Sequence, residues 1–206
     1  LARETNNPVH IAHISTKGAV QLVRDAKKQD IPVTCEVTPH HFSLTDEAIT
    51  SFSTATKVHP PLRSKEDVQA IKEGLKDGTI DVIATDHAPH SNEEKDVEYD
   101  YAPFGISGLE TALGLINTEL IETGILSWQE VIKKLTINPA SILNLDVGKI
   151  EEGQVADLSV IDPEKEWEVK PKEFVSKGKN TPFTGRKLKG QNIMTLVEGQ
   201  IVYNSN

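Results

Sequence analysis

Apolar and polar positions in the first two thirds of the chain switch between two periods. Short apolar runs at residues 9–14, 31–37 and 80–85 read as buried strands, each closed by polar or turn-forming residues. Helical spacing lies between them. In residues 17–29, Ala19, Val20, Leu22, Val23 and Ala26 fall on one face of a helix. A second helix is expected over residues 65–76, with Ser64 as its N-cap, Asp67 three residues on, and Asp77-Gly78 as its stop. Residues 43–53 read as a short helix, with Thr45, Asp46 and Glu47 suiting its first turn. Consecutive prolines at 60 and 61 make residues 56–63 an extended piece. Further helices are expected at residues 109–123 and 127–135, with a short one starting at Asn138. Near-continuous apolar strands alternating with helices predict an α/β chain with a parallel sheet and crossover helices.

The pattern changes after Gly148. Residues 155–162 and 194–203 alternate as β-hairpin material, and the segment between them, rich in Lys, Pro and Gly, reads as irregular. A boundary near 147 follows, with residues 1–147 as one unit and a small β appendage over residues 148–206. There is no internal repeat and no low-complexity tract.

Composition narrows the class. With 206 residues, 37% hydrophobic and 26% charged, the chain is rich enough in apolar groups to build a core. A net charge of −9 argues against a nucleic-acid partner, because neutralising phosphates takes basic surface. Cys35 is the only cysteine, which excludes an internal disulfide and makes a reducing cytoplasm the natural setting. Its place inside an apolar strand reads as a buried, inert thiol. No apolar run approaches the roughly 20 residues that span a bilayer, and residues 1–6 lack the apolar core of a signal peptide. There is no initiator Met, and residues 8–14 already read as an interior strand, so the chain is expected to be the carboxyl part of something longer.

The candidate chemistry sits at strand ends. Ala84-Thr85-Asp86-His87-Ala88-Pro89-His90 crowds an Asp and two His where the third strand gives way to a loop, the edge where parallel sheets carry their ligands. Residues 9–16 likewise run through His10 into His13. Imidazole nitrogen and carboxylate oxygen are ligands of catalytic zinc. One such strand end alone reads as a polar residue satisfied by hydrogen bonds; two with the same chemistry point to metal. The acidic loop at residues 91–100 reads as solvated and, by its position after Asp86 and His90, as a mobile lid.

Together these stretches resemble the carboxyl half of a dihydroorotase, in the amidohydrolase superfamily. His13-Ile14-Ser15-Thr16, Glu36-Val37-Thr38-Pro39-His40-His41 and Asp86-His87-Ala88-Pro89-His90 are similar to the ends of the family's sixth, seventh and eighth barrel strands. Residues 102–111 resemble the loop that closes over the substrate, and residues 153–158 and 180–186 agree as well. The resemblance implies the C-terminal part of a (β/α)8 barrel, about strands six to eight, with a small β-sandwich appendage. It implies His13 and Asp86 as zinc ligands, with Asp86 also moving the proton. It implies His59, His90, Phe104 and Gly105 as substrate contacts, although the family more often has Asn where His59 stands. The implied reaction is the reversible, zinc-dependent cyclisation of N-carbamoyl-L-aspartate to L-dihydroorotate in pyrimidine biosynthesis, with one or two zinc ions per full-length subunit. The family's first-strand His-x-His-x-Arg motif, its bridging carboxylate or modified lysine and its fifth-strand His are all expected upstream of Leu1, so an isolated chain would be inactive. A homodimer or an assembly with aspartate carbamoyltransferase is allowed. Allantoinase- or hydantoinase-type chemistry and a non-catalytic dihydroorotase-like subunit are the competing readings.

The other histidines take lesser roles. His10 reads as a core histidine facing away from His13. His40 and His41 read as structural or supporting groups, and nothing in the sequence chooses between them. His87 is expected to point away from Asp86, and Arg63 to have a surface or structural role.

Overall fold

The computed structural model describes residues 1–49 and 51–205. After a single turn, α1 (Ala2–Thr5), the chain forms β1 (Val9–Ile11), α2 (Lys17–Lys27), β2 (Val33–Val37), α3 (Pro39–Ser43), α4 (Lys65–Lys76) and β3 (Val82–Ile83). These strands make one parallel sheet in the order β1-β2-β3, with Val9 opposite Val33 and Glu36 opposite Val82. The strand–helix alternation expected from the sequence is therefore present. The strands are shorter than their apolar runs, although Ile14 and Ala84, beyond the ends of β1 and β3, still donate to Glu36 O and Val37 O at 3.0 Å.

Local chemistry explains the helix ends. Thr16 caps α2 by accepting from the Ala19 N–H at 3.1 Å, and Ser64 caps α4 by accepting from the Asp67 N–H at 3.3 Å. Asp67 also accepts from the Lys17 N–H at 2.8 Å, which ties the starts of the two helices together. Val20 and Val23 of α2, with Ile71 and Leu75 of α4, are buried on the sheet residues Cys35, Val37 and Ile83. At the far end of the sheet Asp81 is a clasp. It pairs with Lys27 at 2.7 Å, accepts from the Cys35 N–H at 2.9 Å, and its carbonyl accepts from Asn138 Nδ2 at 2.8 Å. Cys35 is fully buried and its thiol is pushed up to about 11, chiefly by burial, so the inert reading stands.

One expectation needs correction here. In place of a helix over residues 43–53, α3 starts earlier, at Pro39, and carries His40 and His41; short 3-10 turns follow at Asp46–Ile49 and Thr54–Thr56. Thr50, within the expected helix, lies outside the described residues. Proline is well placed in a first helical turn, where its missing N–H costs nothing. The acidic loop is mostly exposed, as a solvated segment should be. It contains α5 (Asn92–Lys95), closed by a reciprocal Ser91–Glu94 capping box. Lys95 Nζ donates to the carbonyls of Thr54 and Pro103 at 3.1 and 2.7 Å, and Lys57 Nζ to those of Tyr99 and Asp100 at 2.7 and 2.9 Å. Both lysines are buried, and burial together with the neighbouring Lys57 pulls Lys95 down to about 8.

The rest of the chain forms α6 (Leu109–Ile116), which runs into a π-helical turn over Asn117–Ile121, then α7 (Trp128–Leu135), α8 (Ile137–Ile142), β4 (Leu158–Glu168), β5 (Lys187–Val197) and β6 (Gln200–Asn204). The last three strands pair antiparallel in the order β4-β5-β6. Among the described residues this end of the chain holds one sheet, and β5 packs it on α6, where Leu188 and Trp167 meet Gly114. The segment read as irregular supplies half of β4 and half of β5. A second core cluster joins Val58, Leu62, Ile106 and Leu115 to Val169, Phe174, Phe183 and Leu188, across position 147.

Candidate active site

Two expected ligands meet at the carboxyl edge of the parallel sheet. Both have left-handed backbones, His13 at φ 52° and Asp86 at φ 47°. Non-glycine residues adopt that conformation at a cost, and such residues concentrate at functional sites. At His13 it breaks the alternation that β1 would otherwise continue. The consequence corrects the reading of His10: both histidines turn to the same carboxylate. Glu36, one residue before the end of β2, places Oε2 3.2 Å from His10 Nε2 and Oε1 2.7 Å from His13 Nδ1. Thr34 Oγ1 lies 2.8 Å from His10 Nδ1. The His13–Glu36 approach is an ion-pair distance without hydrogen-bond alignment, and His13 Nδ1 is buried with no hydrogen-bond partner.

On the other side, His13 Nε2 lies 3.5 Å from Asp86 Oδ1. Burial raises the Asp86 carboxyl above the ordinary range, His13 opposes this, and the Glu36 carboxylate adds to it. Zinc bonds of about 2.0–2.2 Å in a tetrahedron set adjacent donor atoms about 3.3–3.6 Å apart. The His13–Asp86 spacing and an imidazole–carboxylate donor pair therefore fit two zinc ligands. Three protein ligands are the norm for a catalytic zinc, and among the described residues no group of three or more His, Cys, Asp or Glu is placed to hold a metal.

His59, His90, Phe104 and Gly105 form a second, adjoining group. The His59 and Phe104 rings are 5.3 Å apart between centroids, and both residues are exposed. Lys57 Nζ lies 4.8 Å from the Phe104 centroid. His90 Nε2 donates to the Phe104 carbonyl at 2.9 Å, so the loop after β3 and the loop before α6 are joined directly. Gly105 donates its N–H to Lys57 O at 2.9 Å and sits at φ 127°. A Cβ there would stand 2.5 Å from Ala88 Cβ and 2.8 Å from Ala88 O. Gly105→Ala is expected to lower stability by about 1–3 kcal/mol from backbone strain and overlap combined; urea unfolding midpoints measure it, and an unchanged midpoint would refute it.

His87 and His41 hold backbone groups in this geometry, while His40 Nε2 is buried with no hydrogen-bond partner. His87 does point away from the site: its Nδ1 accepts from the N–H groups of Gly108 and Leu109 at 3.1 and 3.3 Å, so it caps α6 in place of the usual hydroxyl. His41 Nε2 donates to Pro60 O at 2.9 Å, and its Nδ1 accepts from Thr38 Oγ1 at 2.7 Å. Arg63 is half-buried, and its Nε lies 3.4 Å from Ser15 Oγ. Sequence reasoning did not assign Glu36, Lys57 or Lys95. The one available signal was Glu36 itself, a carboxylate inside an otherwise apolar strand.

The amidohydrolase family model matches residues 1–202, and the chain belongs to that family. The chain is 57% identical over 202 residues to the dihydroorotase of Pelotomaculum thermopropionicum and 56% identical over 203 residues to that of Syntrophus aciditrophicus, covering 98% of this chain and 47% of each relative. It thus spans about half the length of the curated relatives it matches. Among solved structures it is similar to the L-hydantoinase (dihydropyrimidinase) of Arthrobacter aurescens, with a TM-score of 0.93 and 28% identity over 99% of this chain and 46% of that one. The dihydropyrimidinase of Brevibacillus agri shares the fold, with a TM-score of 0.93 at 21% identity over 99% of this chain and 46% of that one.

Proposed function

We propose that this chain carries the proton-transfer and substrate-facing half of a zinc-dependent dihydroorotase site, with β1, β2 and β3 as the last three strands of an amidohydrolase barrel. Residues 1–147 form the barrel portion and residues 148–206 the β appendage. The observation that carries the reading is the His13–Asp86 donor pair, 3.5 Å apart at the carboxyl edge of the sheet, in a chain more than half identical to dihydroorotases. The metal, when bound, supplies a Lewis acid and makes water a nucleophile near neutral pH. Asp86 takes the proton of the attacking water and delivers it to the ring nitrogen as the amide C–N bond breaks. His59, His90, Phe104 and Gly105 face the place where the ring is held, on loops fixed by Lys57 and Lys95. His13 and Asp86 are two ligands of a set that takes at least one more, so the activity is proposed for the full-length enzyme, as a homodimer or with aspartate carbamoyltransferase. No helix among the described residues is long and apolar enough to cross a membrane, and the buried, unpaired Cys35 suits the cytoplasm.

The hydantoinase-like fold makes a substrate panel the deciding experiment. With zinc supplied, the full gene product is expected to hydrolyse dihydroorotate with kcat/KM at least about 100-fold above that for hydantoin or dihydrouracil, since neither carries the ring carboxylate that a polar site would recognise. Preference for hydantoin would replace the dihydroorotase reading by the hydantoinase one.

A further inference from the structure

We infer that Asn180 is a positioning residue for the substrate-facing loops, fastening His90 and Gly105 to each other from the segment between β4 and β5. What the loops contact rests on the dihydroorotase reading; what Asn180 holds rests on the geometry alone. Asn180 is 8% exposed. Its Oδ1 accepts from the His90 N–H at 2.9 Å, and its Nδ2 donates to Gly105 O at 2.9 Å. Its own carbonyl accepts from the Ser107 N–H at 2.8 Å, while the Ser107 hydroxyl donates to Gly178 O at 2.7 Å. The two loops are thus bridged twice. The His90 ring reaches Phe104 O on one side, and the Asn180 amide joins the His90 and Gly105 backbones on the other.

The chemistry selects an amide. One planar group must accept from an N–H and donate to a carbonyl, and among side chains of this size only Asn does both. Asp keeps the acceptor but presents an oxygen to Gly105 O. The close approach is built in by Gly178, where a Cβ would stand 2.6 Å from Pro89 Cβ and 2.7 Å from His90 O. A residue from the carboxyl-terminal segment therefore sets the register of two loops that lie more than 70 residues earlier in the chain.

The test uses Asn180→Ala and Asn180→Asp, with two readouts. The first is amide hydrogen exchange in the full gene product. Asn180→Ala should speed exchange at the His90 N–H by about 100-fold without a matching change at Val20 or Ile71 in the core, and Asn180→Asp should leave it protected. The second is steady-state kinetics of the full gene product with dihydroorotate. Both variants should raise KM by about tenfold or more with kcat within about threefold, as expected where contacts are shared by ground and transition states. Unchanged His90 exchange in Asn180→Ala, or unchanged KM in both variants of an active enzyme, overturns the inference. A wild-type enzyme without dihydroorotate turnover would sink the functional reading instead, and the exchange arm would still decide what Asn180 holds. Should Asn180→Ala fail to fold, Gly178→Ala displaces the same segment with every hydrogen-bonding side chain intact and is read by the same two measurements.

Discussion

Asp86→Asn in the full-length enzyme is expected to lower kcat for dihydroorotate by about 10²–10⁴-fold, the usual contribution of a positioned proton carrier. Asn keeps the shape of the side chain and one oxygen donor 3.5 Å from His13, so the position of the group survives. It cannot take a proton from the attacking water. Folding should hardly change. Burial and the facing Glu36 carboxylate both disfavour the ionised Asp86, with His13 as the opposing influence. Removing that charge should therefore leave the melting temperature of the metal-free chain the same or slightly higher. Single-turnover kinetics beside thermal melts separates the two effects. A variant with near-normal turnover would remove Asp86 from its assigned role, and a large drop in melting temperature would recast it as a structural group.

Acid is expected to unfold this chain through two histidines that take no part in that chemistry. Burial brings the His41 imidazolium down to about 4, with His13 and Arg63 adding to it and the Pro60 carbonyl opposing. His40, 1% exposed and with its ring tilted 50° against that of His41 at 4.5 Å between centroids, is held well below the ordinary histidine range, again chiefly by burial. Both are neutral in the folded chain and protonated below about 6.5 in the unfolded one. The unfolded state then binds more protons, so stability falls as pH drops from about 6.5 towards 4 and is fully present above that window. For His41 alone the shift corresponds to about 3 kcal/mol. Denaturant unfolding of wild type and His41→Gln at pH 7, 5.5 and 4 isolates the contribution, since carboxylate effects are common to both. The wild type should lose about 3 kcal/mol more than the variant across the window. Parallel losses would show that His41 charges without unfolding anything.

Sequence alone determined the features that rest on local chemistry. The α4 boundaries followed from Ser64, the amphipathic repeat and Asp77-Gly78, and the structure places that helix at Lys65–Lys76. The parallel strands followed from apolar runs too short for helices. His13 and Asp86 stood out because two strand ends carried the same donor chemistry, and the structure brings them to 3.5 Å.

Tertiary structure decided whatever depends on partners far along the chain. β4 and the start of β5 contain Glu164, Lys165, Glu166, Lys187 and Lys189, and strands with charged side chains on both edges have no hydrophobic period to read; cross-strand pairing makes them strands. His10 and His13 share Glu36 because one left-handed residue turns the chain, which an alternation argument does not anticipate. Lys57 and Lys95 look like solvated charges until distant carbonyls receive them. Asn180 shows the same limit, because an amide in a coil segment gains its role only when the fold places it between His90 and Gly105. Periodicity and capping are encoded within a few residues, whereas the partner of a buried polar group is encoded by the whole fold.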